Sequence, residues 1–250
     1  MPFTPAHPAI LFPFRWLKPD QISWTALIIG SLAPDMEYFL WMNPGAHVSH
    51  TLLGILVFNL PVTILLAFVW HGFLREVMMR QIPFIKTKYR NLKNPDFQLW
   101  MQKHWMVFFI SALIGIISHL VWDSFCHAKG YMTLHIPLLI EHVNLAGHQI
   151  RLCYVLWYIF SAIGFAGIII TVIDYRSFTK AEVWKQFWGT TSFWAKVLFV
   201  SSLLAITRMA FGLGWNWFRH LVIISIAGLI YGIIIVSWLE FRKSRLLVSR

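Results

Sequence analysis

The sequence predicts an all-α, polytopic integral membrane protein, and three observations carry that reading. Of the 250 residues, 58% are hydrophobic and only 12% are charged, whereas a soluble domain averages about 25% charged residues. The mean hydropathy is +0.64, and several uncharged stretches reach the ~20 residues that a helix needs to cross a bilayer. The net charge of +11 fits a membrane protein whose Lys and Arg gather in loops on one side. The composition excludes a soluble globular enzyme, a disordered tail and a coiled coil, and no nucleic-acid partner is needed to explain the charge. Two cysteines are too few for a disulfide scaffold or a zinc ribbon.

In chain order, residues 1–50 form the first section. Prolines at 2, 5, 8 and 13 break the early apolar run, and the start has no basic segment of the kind a cleavable signal peptide carries. Residues 8–17 and 21–34 read as two short arms joined at Arg15, Lys18, Pro19 and Asp20. Each arm is too short to cross alone, so a helical hairpin is expected. A single tilted span over 21–42 is the alternative, giving six spans instead of five. Spans follow at 51–70, 104–122, 152–173 and 220–239, with a fifth near 194–218 interrupted by Arg208 and loosened by Gly212 and Gly214. The whole chain, 1–250, reads as one membrane domain. Within it, 1–50 holds the hairpin and a site loop, 51–151 spans and an outer loop, and 152–250 the last spans.

Loop charge gives the orientation. Segments 72–103, 174–196 and 240–250 hold fifteen Lys and Arg, whereas the opposite loops hold Lys129, Arg151 and Arg219. The basic loops and the C-terminus are therefore expected in the cytoplasm. Residues 35–50, 124–151 and 209–219 are expected outside. Segment 72–103, divided by Pro83 and Pro95, has room for a short interfacial helix.

That orientation sorts the polar residues. Nine of the eleven histidines fall on the outer side, together with Asp35, Glu37, Asp123 and Glu141; His71 and His104 fall inside. Ionisable residues at membrane depth are costly and usually functional. His119, Asp123 and His127 recur every fourth residue, which puts them on one helix face. Neutral imidazoles and a carboxylate on successive turns suit a zinc-type ion; a buried polar network joining helices is the alternative. Asp35 follows Pro34 at a helix end, and Glu37 lies two residues on. His50 stands just before a span, and His7 returns to the face of Asp35 if the hairpin forms. Asp35 and His50 can equally act as helix-end caps or hydrated interface groups. The outer loop 124–151 has its own apolar stretch and is expected to lie in the interface, with His135, Glu141 and His142 as secondary ligand candidates. Cys126 and Cys153 share the outer side, where a disulfide is permitted. Arg208 reads as a snorkelling residue or a phosphate partner.

Four segments, MPFTPAHPAI, GSLAPDMEYFL, SHTLLG and ISHLVWDSFCHAKGY, resemble a bacterial membrane protein family defined only as a domain of unknown function, with members starting MPFTxxHPA. That family resembles the membrane-bound metal-dependent hydrolases. Through them it is distantly similar to the zinc-dependent phospholipase C and P1 nuclease superfamily of all-helical phosphodiesterases with three zinc ions. The resemblance covers residues 1–60 and 115–131. It implies His7, Asp35, His50, His119, Asp123 and His127 as metal ligands, with Asp123 bridging. The soluble enzymes carry a further His-x-x-x-acid helix, but here His142 is followed at the fourth position by Ala146. Two metal ions are therefore expected instead of three, zinc or another divalent metal.

The expected function is a zinc-dependent hydrolase in the bacterial cytoplasmic membrane, with its site facing outward. Its partners are the lipid bilayer and a lipid-like phosphoester, such as a phospholipid or an undecaprenyl-type carrier. Asp35, Glu37 and Asp123 are the catalytic candidates. The alternative is a non-enzymatic membrane protein: a structural metal site, a scaffold subunit or a transporter.

Overall fold

The N-terminal residues fold back on themselves as a helical hairpin. In the computed structural model, which describes residues 4–18, 20–45, 47–82, 96–173, 180–212 and 217–248, the first arm is a tight 3₁₀ helix over Thr4–Trp16. Pro5, Pro8 and Pro13 each remove a backbone donor from it, which favours short 3₁₀ turns over a continuous α-ladder. The return arm is α1 (Trp24–Leu32), started by Ser23, whose side chain accepts from the Ala26 amide. Leu11, Ile22 and Leu27 bury themselves between the arms with Ile10, Phe14 and Trp24 packed around them. A 3₁₀ turn over Ala33–Asp35 separates α1 from α2 (Met36–Trp41). The hairpin is therefore found, and the single tilted span over 21–42 is not.

Among the described residues, five helices are long and apolar enough to cross a membrane, which makes this a multi-pass membrane protein. They are α3 (Leu52–Gln81), α4 (Phe97–Cys126), α6 (Leu152–Val172), α7 (Lys180–Ala210, apolar over Phe187–Ala210) and α8 (Trp217–Val248, apolar over Trp217–Leu247). The sequence windows find only the apolar centres of α3 and α4. These helices are 30 residues long, roughly 45 Å, against a ~30 Å hydrocarbon core. α4 departs from helical geometry at His104, where the sequence window begins.

Between α4 and α6 the chain is more ordered than a loop. It contains α5 (Tyr131–His135), a 3₁₀ turn over Pro137–Ile140, and an antiparallel hairpin of β1 (His142–Leu145) and β2 (His148–Arg151). Ala146 and Gly147 turn the hairpin at φ 51° and 85°, the positive pair that a two-residue turn needs. The sequence reading missed the hairpin because two four-residue strands carry too little alternation to register.

Lys86, Lys88, Arg90 and Lys93, with Pro83, Pro95 and the interfacial helix expected among them, lie outside the described residues. So do Pro2, Pro19, Arg176, Gly214 and Arg250.

The chain forms two compact units. The first comprises Met1–Asp35, Val48–Ile64 and Trp100–Thr171. α1 packs closely on α4: a Cβ on Gly30 would lie 2.6 Å from the Ala112 carbonyl oxygen, and one on Gly115 would lie 2.3 Å from that of Leu27. Only glycine lets the two backbones come this close. The Ser23 amide also donates a hydrogen bond to Ser111 Oγ at 2.9 Å. The second unit comprises Met36–His47, Leu65–Leu99 and Val172–Arg250. Val77, Met78, Phe193, Val197 and Val236 form its apolar core.

Candidate metal centre

Four chain segments of the first unit bring the six ionisable residues together. His119 and Asp123 stand on successive turns at the end of α4, and His127 follows directly after its last residue, Cys126. Asp35 is placed by the 3₁₀ turn that Pro34 imposes after α1, and is fully buried. His7 projects from the first arm, also fully buried. His50 comes from the turn before α3, whose start is capped by Thr51 Oγ1 accepting from the Gly54 amide at 2.9 Å.

The side chains face one another at a characteristic spacing. His119 Nε2 lies 3.4 Å from Asp35 Oδ1 and 3.9 Å from Asp123 Oδ2. His7 Nε2 is 3.5 Å from Asp123 Oδ1. His50 Nε2 is 3.6 Å from Asp123 Oδ2 and 3.9 Å from Asp35 Oδ1, and His127 Nε2 is 3.3 Å from Asp123 Oδ2. His7 Nε2, His119 Nε2, Asp35 Oδ1 and both Asp123 oxygens are buried without a hydrogen bond among the described residues. Two ligand atoms each about 2.0–2.1 Å from a tetrahedral ion sit roughly 3.3 Å apart. The spacing is long for hydrogen bonds and close to what a metal cage requires.

The backs of the rings are fixed. His119 Nδ1 bonds the Ser31 carbonyl at 2.7 Å, and His7 Nδ1 bonds the Thr4 carbonyl at 3.2 Å. A carbonyl only accepts, so Nδ1 carries the hydrogen and Nε2 turns a lone pair inward. His50 Nδ1 is held by Ser49 Oγ at 2.9 Å. Thr4 Oγ1 donates to Asp35 Oδ2 at 2.6 Å, which leaves Oδ1 to face the cluster.

Electrostatics disfavour charging both buried rings at once. The His7 and His119 rings stack with centroids 3.9 Å apart. Two imidazolium charges at that distance would repel by roughly 4 kcal/mol at an effective dielectric near 20. Burial, reinforced by His119, pushes His7 below the usual imidazole range. Burial alone would push the Asp35 carboxyl up, but the facing His119 and His7 rings more than reverse it and hold it below the usual carboxylate range.

Among the described residues, two overlapping groups could hold a metal ion: His7, His119 and Asp123, and Asp35, His50 and His119. His119 has only Nε2 to offer, so it can serve one ion at a time. Asp123 turns Oδ1 toward His7 and Oδ2 toward His50, His119 and His127. Its two oxygens therefore address both groups. Burial is uneven, since the side chains of His50 and His127 are 26% and 41% exposed while His7 and His119 are sealed.

The chain belongs to the family described as "Domain of unknown function (DUF4184)". The match covers residues 1–238. No curated protein and no solved structure matches the chain, so membership brings no activity with it.

None of the other described candidates belongs to either ligand group. Glu37 belongs to the second unit, where its Oε1 accepts from the His47 amide at 2.9 Å. His135, Glu141, His142 and His148 are exposed. His135 bonds the Tyr131 carbonyl within its own helix at 2.8 Å, and the register sets His142 opposite Arg151 and His148 opposite Leu145. Cys126 and Cys153 are buried free thiols, so the permitted disulfide is not formed. Arg208 donates to the Gly212 carbonyl at 3.2 Å, closing the end of its own helix.

The sequence reading missed the supporting residues Thr4, Ser31, Ser49 and Asn59. Asn59 is fully buried in a π-type turn of α3, and its Nδ2 donates to the Ser49 carbonyl at 2.8 Å. Asn59 thereby anchors the turn that presents His50. A buried asparagine eight residues into an uncharged span was the available signal.

Proposed function

We propose that this protein is a membrane-embedded, zinc-dependent hydrolase of a lipid-like phosphoester, with two ions held by His7, Asp35, His50, His119, Asp123 and His127. The observation that supports this best is the set of buried nitrogen and oxygen atoms that face one another without hydrogen bonds while their rings are fixed from behind. Leaving such groups unsatisfied is costly, and a divalent cation removes the cost. Asp123, with an oxygen toward each ligand group, is the bridging carboxylate in this reading.

Bound zinc would supply a Lewis-acid charge for a phosphoryl oxygen and a water acidified to a pKa of about 7. The chain's own contributions are orientation, charge and exclusion of water. The Ser31 and Thr4 carbonyls set the tautomers of His119 and His7. Thr4 Oγ1 fixes one Asp35 oxygen, and the sealed His7 side closes the back of the site. Two carboxylates balance one divalent ion, so a second ion leaves an excess positive charge that suits an anionic phosphoester. The partly exposed edges of His50 and His127 give that ester an approach, as expected of a site left open for catalysis and not of a closed structural one. Glu37 has no part in this reading.

Loop charge supports a site facing outward from the bacterial cytoplasmic membrane. The deciding experiment is the metal content of purified wild-type protein beside Asp123→Ala after zinc supplementation. Wild type should hold close to two equivalents and the variant markedly fewer; less than about one equivalent in wild type would overturn the reading. Orientation has its own test in Val48→Cys labelled from either side of the membrane, where labelling from the cytoplasm alone would reverse it.

A further inference from the structure

The segment between α4 and β1 has an unusual division of side chains. Thr133 and Leu139 point inward and are buried, while Tyr131, Leu134, Ile136, Leu138 and Ile140 point outward, with Tyr131 67%, Leu134 66% and Leu138 58% exposed. Five apolar residues among ten, all on the open side, would form a costly patch in water.

The segment is also tied to the metal-site end of α4. Thr133 Oγ1 donates to the Ser124 carbonyl at 2.9 Å, and Ser124 adjoins Asp123. The Gly130 amide bonds the His127 carbonyl at 2.8 Å. A Cβ at Gly130 would lie 2.2 Å from the Ser124 oxygen, so the segment starts in backbone contact with the turn beyond Asp123. α4 is a spanning helix that ends at Cys126, which puts residues 131–140 where hydrocarbon gives way to headgroups. Outward apolar residues flanked by Lys129, His135 and Glu141 are the pattern of a segment lying in that boundary.

We propose that residues 131–140 form a membrane-seated lip that packs against phospholipid acyl chains and presents the attached phosphoester to the open His127 side of the site. The occupant is lipid because the lip continues directly from a spanning helix and its outward face is apolar. The substrate half of the proposal rests on the hydrolase reading; the seat in the bilayer does not.

The test uses full-length protein reconstituted in phosphatidylcholine and phosphatidylglycerol vesicles. Leu134→Cys and Leu138→Cys are labelled with an environment-sensitive fluorophore, with Gln149→Cys on exposed β2 as reference. The buried Cys126 and Cys153 leave a low labelling background, measured on wild type. Labels at 134 and 138 should be quenched by doxyl-labelled lipid and shielded from iodide. Iodide quenching at both positions to the level seen at 149 would overturn the proposal. In the second arm, the variant with both Leu134→Glu and Leu138→Glu keeps its metal. It should lose about tenfold or more of its turnover on vesicle phospholipid, and less than about twofold on the water-soluble diester bis(p-nitrophenyl) phosphate. Equal losses on the two substrates would remove the presenting role. If wild type cleaves neither substrate, the hydrolase reading fails and the presenting role with it, while the quenching arm still decides the seat.

Discussion

The two compact units handle charge in opposite ways. In the second, charged groups pair in partial contact with solvent: Arg80 with Glu76 at 2.8 Å and Lys196 with Glu240 at 2.6 Å, each pair with side chains 31–54% exposed. These bridges are short, complete and of little energetic weight. In the first, Asp35 and Asp123 are withdrawn from solvent among histidines at 3.3–3.9 Å, too far for good hydrogen bonds. One arrangement is satisfied by the chain itself. The other leaves buried donors and acceptors facing one another in an arrangement that could hold a cation.

The largest expected effect is at Asp123. Asp123→Asn keeps the volume but removes the charge shared by both ligand groups, and should weaken zinc binding by more than about 100-fold, measured by metal analysis after dialysis. With it goes the stabilisation that bound metal confers. At a free metal concentration 100 times Kd that stabilisation is about 2.7 kcal/mol, so a chelator should lower the Tm of wild type and leave Asp123→Asn unmoved. Equal shifts in the two proteins would break the contrast between the units.

Thr4→Val comes next. Losing the 2.6 Å bond to Asp35 should cost roughly 10–100-fold in metal affinity, the usual range for a residue that orients a ligand. Acidification ranks third. Zinc needs neutral imidazoles, so affinity should fall as pH drops through about 6.5. His7, already pushed below that range, resists protonation and should yield only at lower pH, so His7→Gln should remove the most acidic part of the titration. Lys196→Met should do least: it breaks an exposed bridge, and stability should change by no more than about 0.5 kcal/mol with metal content unaltered. A drop in metal content here would show that the units are not energetically separate.

How much of this was legible depended on whether a residue acts through spacing or through contact. The i, i+4, i+8 series on α4 is periodic, so His119, Asp123 and His127 could be read together. Pro34 announced a helix end that places Asp35. The hairpin followed from arms too short to cross. Thr4, Ser31 and Ser49 are ordinary residues whose importance lies in one hydrogen bond each; those of Thr4 to Asp35 and of Ser31 to His119 bridge 31 and 88 positions, and no local pattern encodes such bonds. The β-hairpin was missed for a related reason, since its turn depends on Ala146 at positive φ, a conformation that alanine rarely advertises.

The cage also has an order of assembly. His7, Asp35 and His50 leave the ribosome well before His119, which follows His7 by 112 positions. At synthesis rates of about 5–20 residues per second, that delay is roughly 6–22 s. For the last 69 of those positions, from His50 to His119 and roughly 3–14 s, half the donor set is in place without the helix that closes it. On the two-ion reading proposed above, the nascent chain would carry an open, low-denticity chelate, and the ions free nearby would choose its first metal before the finished geometry could discriminate.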